Sequence, residues 1–171
     1  MIAFWKEAGS KLWYAKDAAF DDRFRLRFAQ GHMAAARREM DGWMQTPEGA
    51  LALMILLDQY PRNSFRGTGH QFATDALALS FARQAVANGY LAQTAPELRQ
   101  FFLTPYEHSE NLADHDALIP LIGDLPDVAR YATIHRDIIV RFGRFPHRNA
   151  ALGRVTTPEE QGFLDGGGFG G

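Results

Sequence analysis

The chain has 171 residues, 46% of them apolar and 22% charged, with a net charge of −2. That length suits one domain, and the near-neutral balance gives no basis for a polyanion-binding surface, so nucleic acid is not an expected partner. Cysteine is absent, which excludes disulfides, thiolate metal sites, iron–sulfur clusters and a cysteine nucleophile.

The start of the chain, Met1-Ile2-Ala3-Phe4-Trp5, meets Lys6 and Glu7 at once, so no signal-peptide core is expected. Alanine numbers 25 while valine and isoleucine together number 11, which favours helix over sheet and predicts an all-α fold. Phe20, Phe24 and Phe28, four residues apart, predict an amphipathic helix over 17–29. Met33, Ala36, Met40, Trp43 and Met44 mark a second apolar stripe over 31–45. Thr46-Pro47 starts a third helix, over 47–60, with a hydroxyl cap and a proline in the first turn. It is apolar nearly all round, which predicts burial. Its longest apolar run, Ala50 to Leu57, is eight residues, far short of the roughly 20 that span a bilayer, so no membrane association is expected.

Tyr60-Pro61 reads as the exit of that helix, because proline disfavours helical backbone in the residue before it. A broad stripe rich in small residues predicts a helix over 70–88, with Gly89 as its stop. Short helices follow over 95–103 and 105–122. Thr94 with Glu97, and Thr104-Pro105 with Glu107, have the spacing of capping boxes. Val128, Tyr131, His135, Ile138 and Phe142 share one face of a helix over 126–142. Thr157-Pro158 with Glu160 opens a last turn over 158–164. A single domain is expected over 1–165, followed by a glycine-rich tail, 166–171, whose one aromatic residue could dock.

The polar residues that break this pattern concentrate in a few segments. The three lysines fall at 6, 11 and 16, and the other 15 cations are arginines. The segment Asp58-Gln59-Tyr60-Pro61-Arg62-Asn63 has a counterpart in Arg141-Phe142-Gly143-Arg144-Phe145-Pro146-His147-Arg148-Asn149. Each contains aromatic-Pro followed by Arg-Asn, and such side chains can cap the carbonyls at a helix exit. Capping leaves the density of arginines unexplained. Arg141, Arg144, Arg148 and Arg154 crowd a stretch without an acidic residue, so their repulsion needs an offset. Asp58, Glu107 and Glu110 are candidate counter-charges, and an anionic ligand gripped by guanidinium forks is the other source. Asp58, Arg62, Asn63, Arg141, Arg144, His147, Arg148 and Asn149 are therefore the candidate ligand-binding residues.

Pro105-Tyr106-Glu107-His108-Ser109-Glu110 is the second polar constellation. On a helix, Glu110 shares an apolar stripe with Tyr106 and Ala113, and on the later helix His135 replaces an aliphatic core residue. Glu107, His108, Glu110 and His135 are the candidate general acid–base residues. No metal site is expected: the His-Glu-x-x-His spacing is absent, and His108 and His115 lie two turns apart. No phosphate-binding loop, dinucleotide fingerprint or serine elbow is present, so no cofactor is expected.

These segments resemble a bacterial family, domain of unknown function 924. The resemblance runs across nearly the whole chain. It is carried by Trp13-Tyr14 with Phe20-Asp21, by Leu56-Leu57-Asp58-Gln59-Tyr60-Pro61-Arg62-Asn63, by Pro105 to Glu110, and by Phe142 to Asn149 with Leu152-Gly153-Arg154. It implies an all-helical fold similar to tetratricopeptide-repeat (TPR) superhelices, although no clean 34-residue period is visible. The reading that results is a cytoplasmic helical domain with a His/Arg/Glu-lined pocket for a small anion or an acidic chain end. An enzyme of general acid–base chemistry, a TPR-like interaction scaffold and a closed structural network are the alternatives.

Overall fold

A computed structural model describes residues 1–170; Gly171, the last residue of the glycine-rich tail, lies outside them. Among the described residues the regular structure is helical throughout, with no strand. No helix among them is long and apolar enough to cross a membrane. The chain divides into two compact units: Met1–Arg66 with His70–Pro105, and Gly67–Gly69 with Tyr106 onward.

In the first unit, α1 (Ile2–Ala8) and α2 (Ser10–Trp13) precede α3 (Ala18–Ala36). The Asp17 carboxylate caps α3 by accepting from the Phe20 N–H. The phenylalanines four residues apart do the work their spacing predicts. The Phe4 ring lies 5.5 Å from both Phe20 and Phe24 and 5.2 Å from Phe28, and fully buried Trp5 meets Phe24 and Phe101 at 5.3 Å. The stripe assigned to a separate helix over 31–45 is not seated in this way. α3 instead continues to Ala36 on one buried face, Phe20-Phe24-His32-Ala35, and leaves Met33 and Trp43 exposed. The chain then breaks at Arg38, whose φ is +65°, and makes a 3-10 turn over Asp41–Gln45.

α4 (Pro47–Met54) starts as its sequence predicts, the Thr46 hydroxyl accepting from the Gly49 N–H at 3.1 Å. Its residues from Ala50 on are buried. Pro61 is not a helix exit. The helix widens into a π turn over Ile55–Gln59, the Tyr60 N–H donating to the Ile55 carbonyl five residues back, and continues as α5 (Tyr60–Ser64). A proline inside an α-helix removes one donor and crowds the preceding turn; the wider turn relieves the crowding, and side chains supply the donors that the backbone lacks. Three carbonyls of this turn accept from side chains: Leu56 from His32 Nδ1 at 2.9 Å, Leu57 from Thr74 Oγ1, and Asp58 from an Arg62 amino group at 2.9 Å.

α6 (Asp75–Ala87) completes the unit's long helices and ends at Asn88, with Gly89 at φ +70°. A 3-10 helix, Pro96–Phe102, takes the place of the helix over 95–103. The capping box read at Thr94 does not form: its hydroxyl donates to the Tyr90 carbonyl at 2.9 Å, and the 3-10 helix has Ala95 as its N-cap, without a side-chain cap. The Thr104 hydroxyl donates to Asp58 at 3.1 Å.

The boundary between the units falls within α7 (Thr104–Glu107). In the second unit α8 (Leu112–Leu118) packs on α9 (Pro126–Phe142), which begins at its proline and stops at Gly143 in the left-handed region. α10 (Pro158–Asp165) has the capping box that Thr157 and Glu160 predict. Ile138, Ile139 and Phe145 form the core, with Phe142, Phe163 and Phe169 packed against it.

Candidate functional site

Asp58, Arg62 and Asn63 lie in the first unit, on the π turn and the helix that follows it. Asp58 is fully buried and accepts from Gln59 and Thr104. Arg62 stands 3.2 Å from Asp58 and grips Asp75 with both ends of its fork, at 2.9 and 3.0 Å. Asn63 donates to Asp21 at 2.7 Å, and Arg66 holds the same carboxylate. Asp75 and Asp21 are the anionic partners here, and their sequence separation from Arg62 and Asn63 hides them from a motif reading.

The remaining candidates lie in the second unit. Arg144 binds Glu160 through Nε at 2.6 Å and an amino group at 2.8 Å, and also the Val155 carbonyl at 2.8 Å. Asn149 donates to the same Glu160 at 3.2 Å. Glu160 thus serves both the capping box and the arginine, and Arg144 with the Thr157 N–H holds its carboxyl down at about 2. Arg141 pairs with Glu159 at 3.0 Å on the surface. Glu110, expected near an imidazole, accepts instead from Arg154 and from the Phe145 N–H, both at 2.9 Å. Burial raises the Glu110 pKa, but those donors outweigh it and leave the carboxyl below its usual range. Sequence reasoning missed Glu159 and Glu160 as counter-charges, although two adjacent acids opening a helix just after an arginine-rich run are the signal for them.

Around His135 the candidates converge. The side chain is buried on α9, and neither ring nitrogen makes a hydrogen bond. Glu107 Oε2 is 3.7 Å from Nδ1. The His108 ring lies 6.3 Å away, and Phe145 stands edge-on at 5.5 Å. Arg148 places its guanidinium 4.4 Å over the other ring that frames the cluster, Phe145, and His147 lies 5.6 Å from that ring. Burial depresses the His135 pKa first, and then the positive field of His108, His115, Arg148 and His147 adds to it, to about 3. His115, weighed in the sequence only as a metal ligand, also lies near the cluster. It donates from Nε2 to the Ser109 carbonyl at 2.8 Å, and burial lowers its pKa. Phe169, the tail's aromatic residue, docks with its ring 4.6 Å from His135 and 5.4 Å from His147.

Of two surface recesses, neither is lined by His135, Glu107, His108, His147 or Arg148. One of about 520 Å³ is lined by Arg141, Glu159, Phe163 and the glycines around α10, and one of about 240 Å³ lies on Phe4, Leu12 and Phe20 beside Arg23 and Arg27. Among the described residues no group of three histidine, aspartate or glutamate side chains could hold a metal ion. The chemistry on offer is that of a neutral, desolvated imidazole next to a carboxylate.

The family model described as "Bacterial protein of unknown function (DUF924)" matches residues 1–168. The chain belongs to the DUF924 family. A solved structure of a protein of unknown function from Agrobacterium tumefaciens is similar to this DUF924 chain at 50% identity, with a TM-score of 0.94, covering 96% of this chain and 94% of that one. No curated protein matches.

Proposed function

We propose that this DUF924 protein binds a small anion, a phosphate or carboxylate, at the histidine cluster of its second unit, with His135 at the centre and His108, His147 and Arg148 around it. The observation that carries this reading is a buried imidazole with no hydrogen bond on either nitrogen, set in a positive field that opposes its protonation. Leaving such a group unsatisfied costs about 1–3 kcal/mol, so folding alone gives no reason for it. An anion would supply both the acceptors and the charge. Arg62, Arg141 and Arg144 are engaged by protein carboxylates of their own units, and Asn149 donates to Glu160.

The contact between Glu107 and His135 supports catalysis as the second reading. An anionic substrate would offset the repulsion on the imidazole and raise its pKa toward the working range. His135 would then act as general base or acid, with Glu107 orienting it, in hydrolysis or group transfer. The succession of short helices is compatible with the TPR-like order that the resemblance implies, and we propose that order for the fold.

Thermal unfolding with inorganic phosphate, phosphomonoesters and dicarboxylates tests the binding reading. An anion at about 100 times its dissociation constant adds roughly 2.7 kcal/mol, which raises the midpoint by about 5–10 °C for a chain of this size. The shift should vanish in His135→Leu. No shift with any of these anions, or an equal shift in the variant, overturns the reading.

A further inference from the structure

The segment after α10 follows a path that only glycine allows. The N–H groups of Gly166, Gly167 and Gly168 donate to the carbonyls of Gly162, Leu164 and Phe163 at 3.1, 3.2 and 2.9 Å, folding the segment back over the helix end. Gly167 has φ +78°, and a Cβ on Gly168 would lie 2.5 Å from the Phe163 ring. That close crossing delivers the Phe169 ring edge-on to His135 and to His147, both contacts near 74° between ring planes. Short segments fixed by a few hydrogen bonds at a helix end open at low cost compared with a helical core. Here one aromatic anchor on a glycine chain covers the imidazole that the rest of the unit leaves unsatisfied.

We propose that Gly166–Gly170 is a displaceable strap, and that the Phe169 ring occupies the approach to His135 and must swing away before a ligand enters. The inference rests on the anion-binding reading for its purpose but not for its test. The segment would make access to the site conditional on local opening, and an anion carrying an apolar or aromatic group would compete best with Phe169, since such a group can replace the ring it displaces.

The test is the rate at which diethyl pyrocarbonate modifies each histidine of the full chain, mapped by mass spectrometry, in the parent protein, Phe169→Ala and Gly168→Ala. The second variant keeps the ring and forces the strap off its path. Fully buried His32, in the first unit, is the internal control. His135 and His147 should react about tenfold faster or more in both variants, with His32 at the parent rate, the mark of local rather than global opening. Unchanged His135 rates in both variants, or a parallel rise at His32, overturn the proposal. Phosphate titration of the same proteins separates the two readings. Faster His135 modification without a phosphate-induced thermal shift keeps the strap and removes the anion site; a phosphate shift with parent-like modification rates does the reverse.

Discussion

Replacing His135 by leucine removes both ring nitrogens while preserving most of the side-chain volume, and it isolates the energetic state of the imidazole. In the unfolded chain the ring takes a proton near pH 6.5, whereas in the folded protein it stays neutral down to about 3. Between those values the unfolded state binds more protons, so stability is fully present above 6.5 and falls as the pH falls. Each pH unit well below 6.5 costs about 1.4 kcal/mol, and between pH 7 and pH 5 the two protonation curves give a loss of about 2 kcal/mol from this residue alone. His32 and His115, whose pKa values burial also lowers, contribute with the same sign but are present in both proteins. The difference between parent and variant therefore reports His135. Urea unfolding at pH 7 and pH 5, extrapolated to water, should show the parent losing about 2 kcal/mol more than His135→Leu over that interval. At pH 7 the variant should be equal to the parent or more stable by about 1–2 kcal/mol, because no hydrogen bond is lost and an unsatisfied polar group is removed. Equal losses on acidification, or a variant several kcal/mol less stable at pH 7, would mean that the ring is satisfied in the folded protein, and the case for a ligand site would fall with it.

Two predictions concern the π turn of the first unit. Thr74→Val removes the donor to the Leu57 carbonyl and should cost about 1–2 kcal/mol in urea unfolding, with faster hydrogen exchange at the Tyr60 amide; an unchanged amide would show that the turn does not depend on that bond. Arg62→Ala takes the guanidinium from between Asp58 and Asp75, both in largely buried settings, and should cost about 3–5 kcal/mol; a loss below about 1 kcal/mol would show that the pair is solvated.

How far the sequence speaks depends on whether a feature is local. Pro126, the apolar face through Val128, His135 and Ile138, and Gly143 all act within one helix, so the bounds 126–142 are legible without coordinates. Thr157 and Glu160 are three residues apart and their box forms as read, while Thr94 and Glu97 have the same spacing and form none. The Thr94 hydroxyl turns back to the Tyr90 carbonyl, and that of Thr104 finds Asp58, 46 residues away. Pro61 fails as a stop for a related reason. The run from Ala50 to Leu57 is apolar on every side, so its periodicity carries no register and cannot reveal the wider turn, and the side chains that serve the freed carbonyls come from His32 and Thr74. The candidate site divides along the same line. Residue types near His135 are readable because the imidazoles are few and the arginines crowd one stretch of the chain. Which arginines are already held depends on Glu159, Glu160 and Asp75 across 13 to 18 residues of chain. Once those pairs are removed from the inventory, Arg62, Arg141 and Arg144 no longer make the case for an anion site; what makes it is His135, an imidazole for which the fold supplies no hydrogen-bond partner.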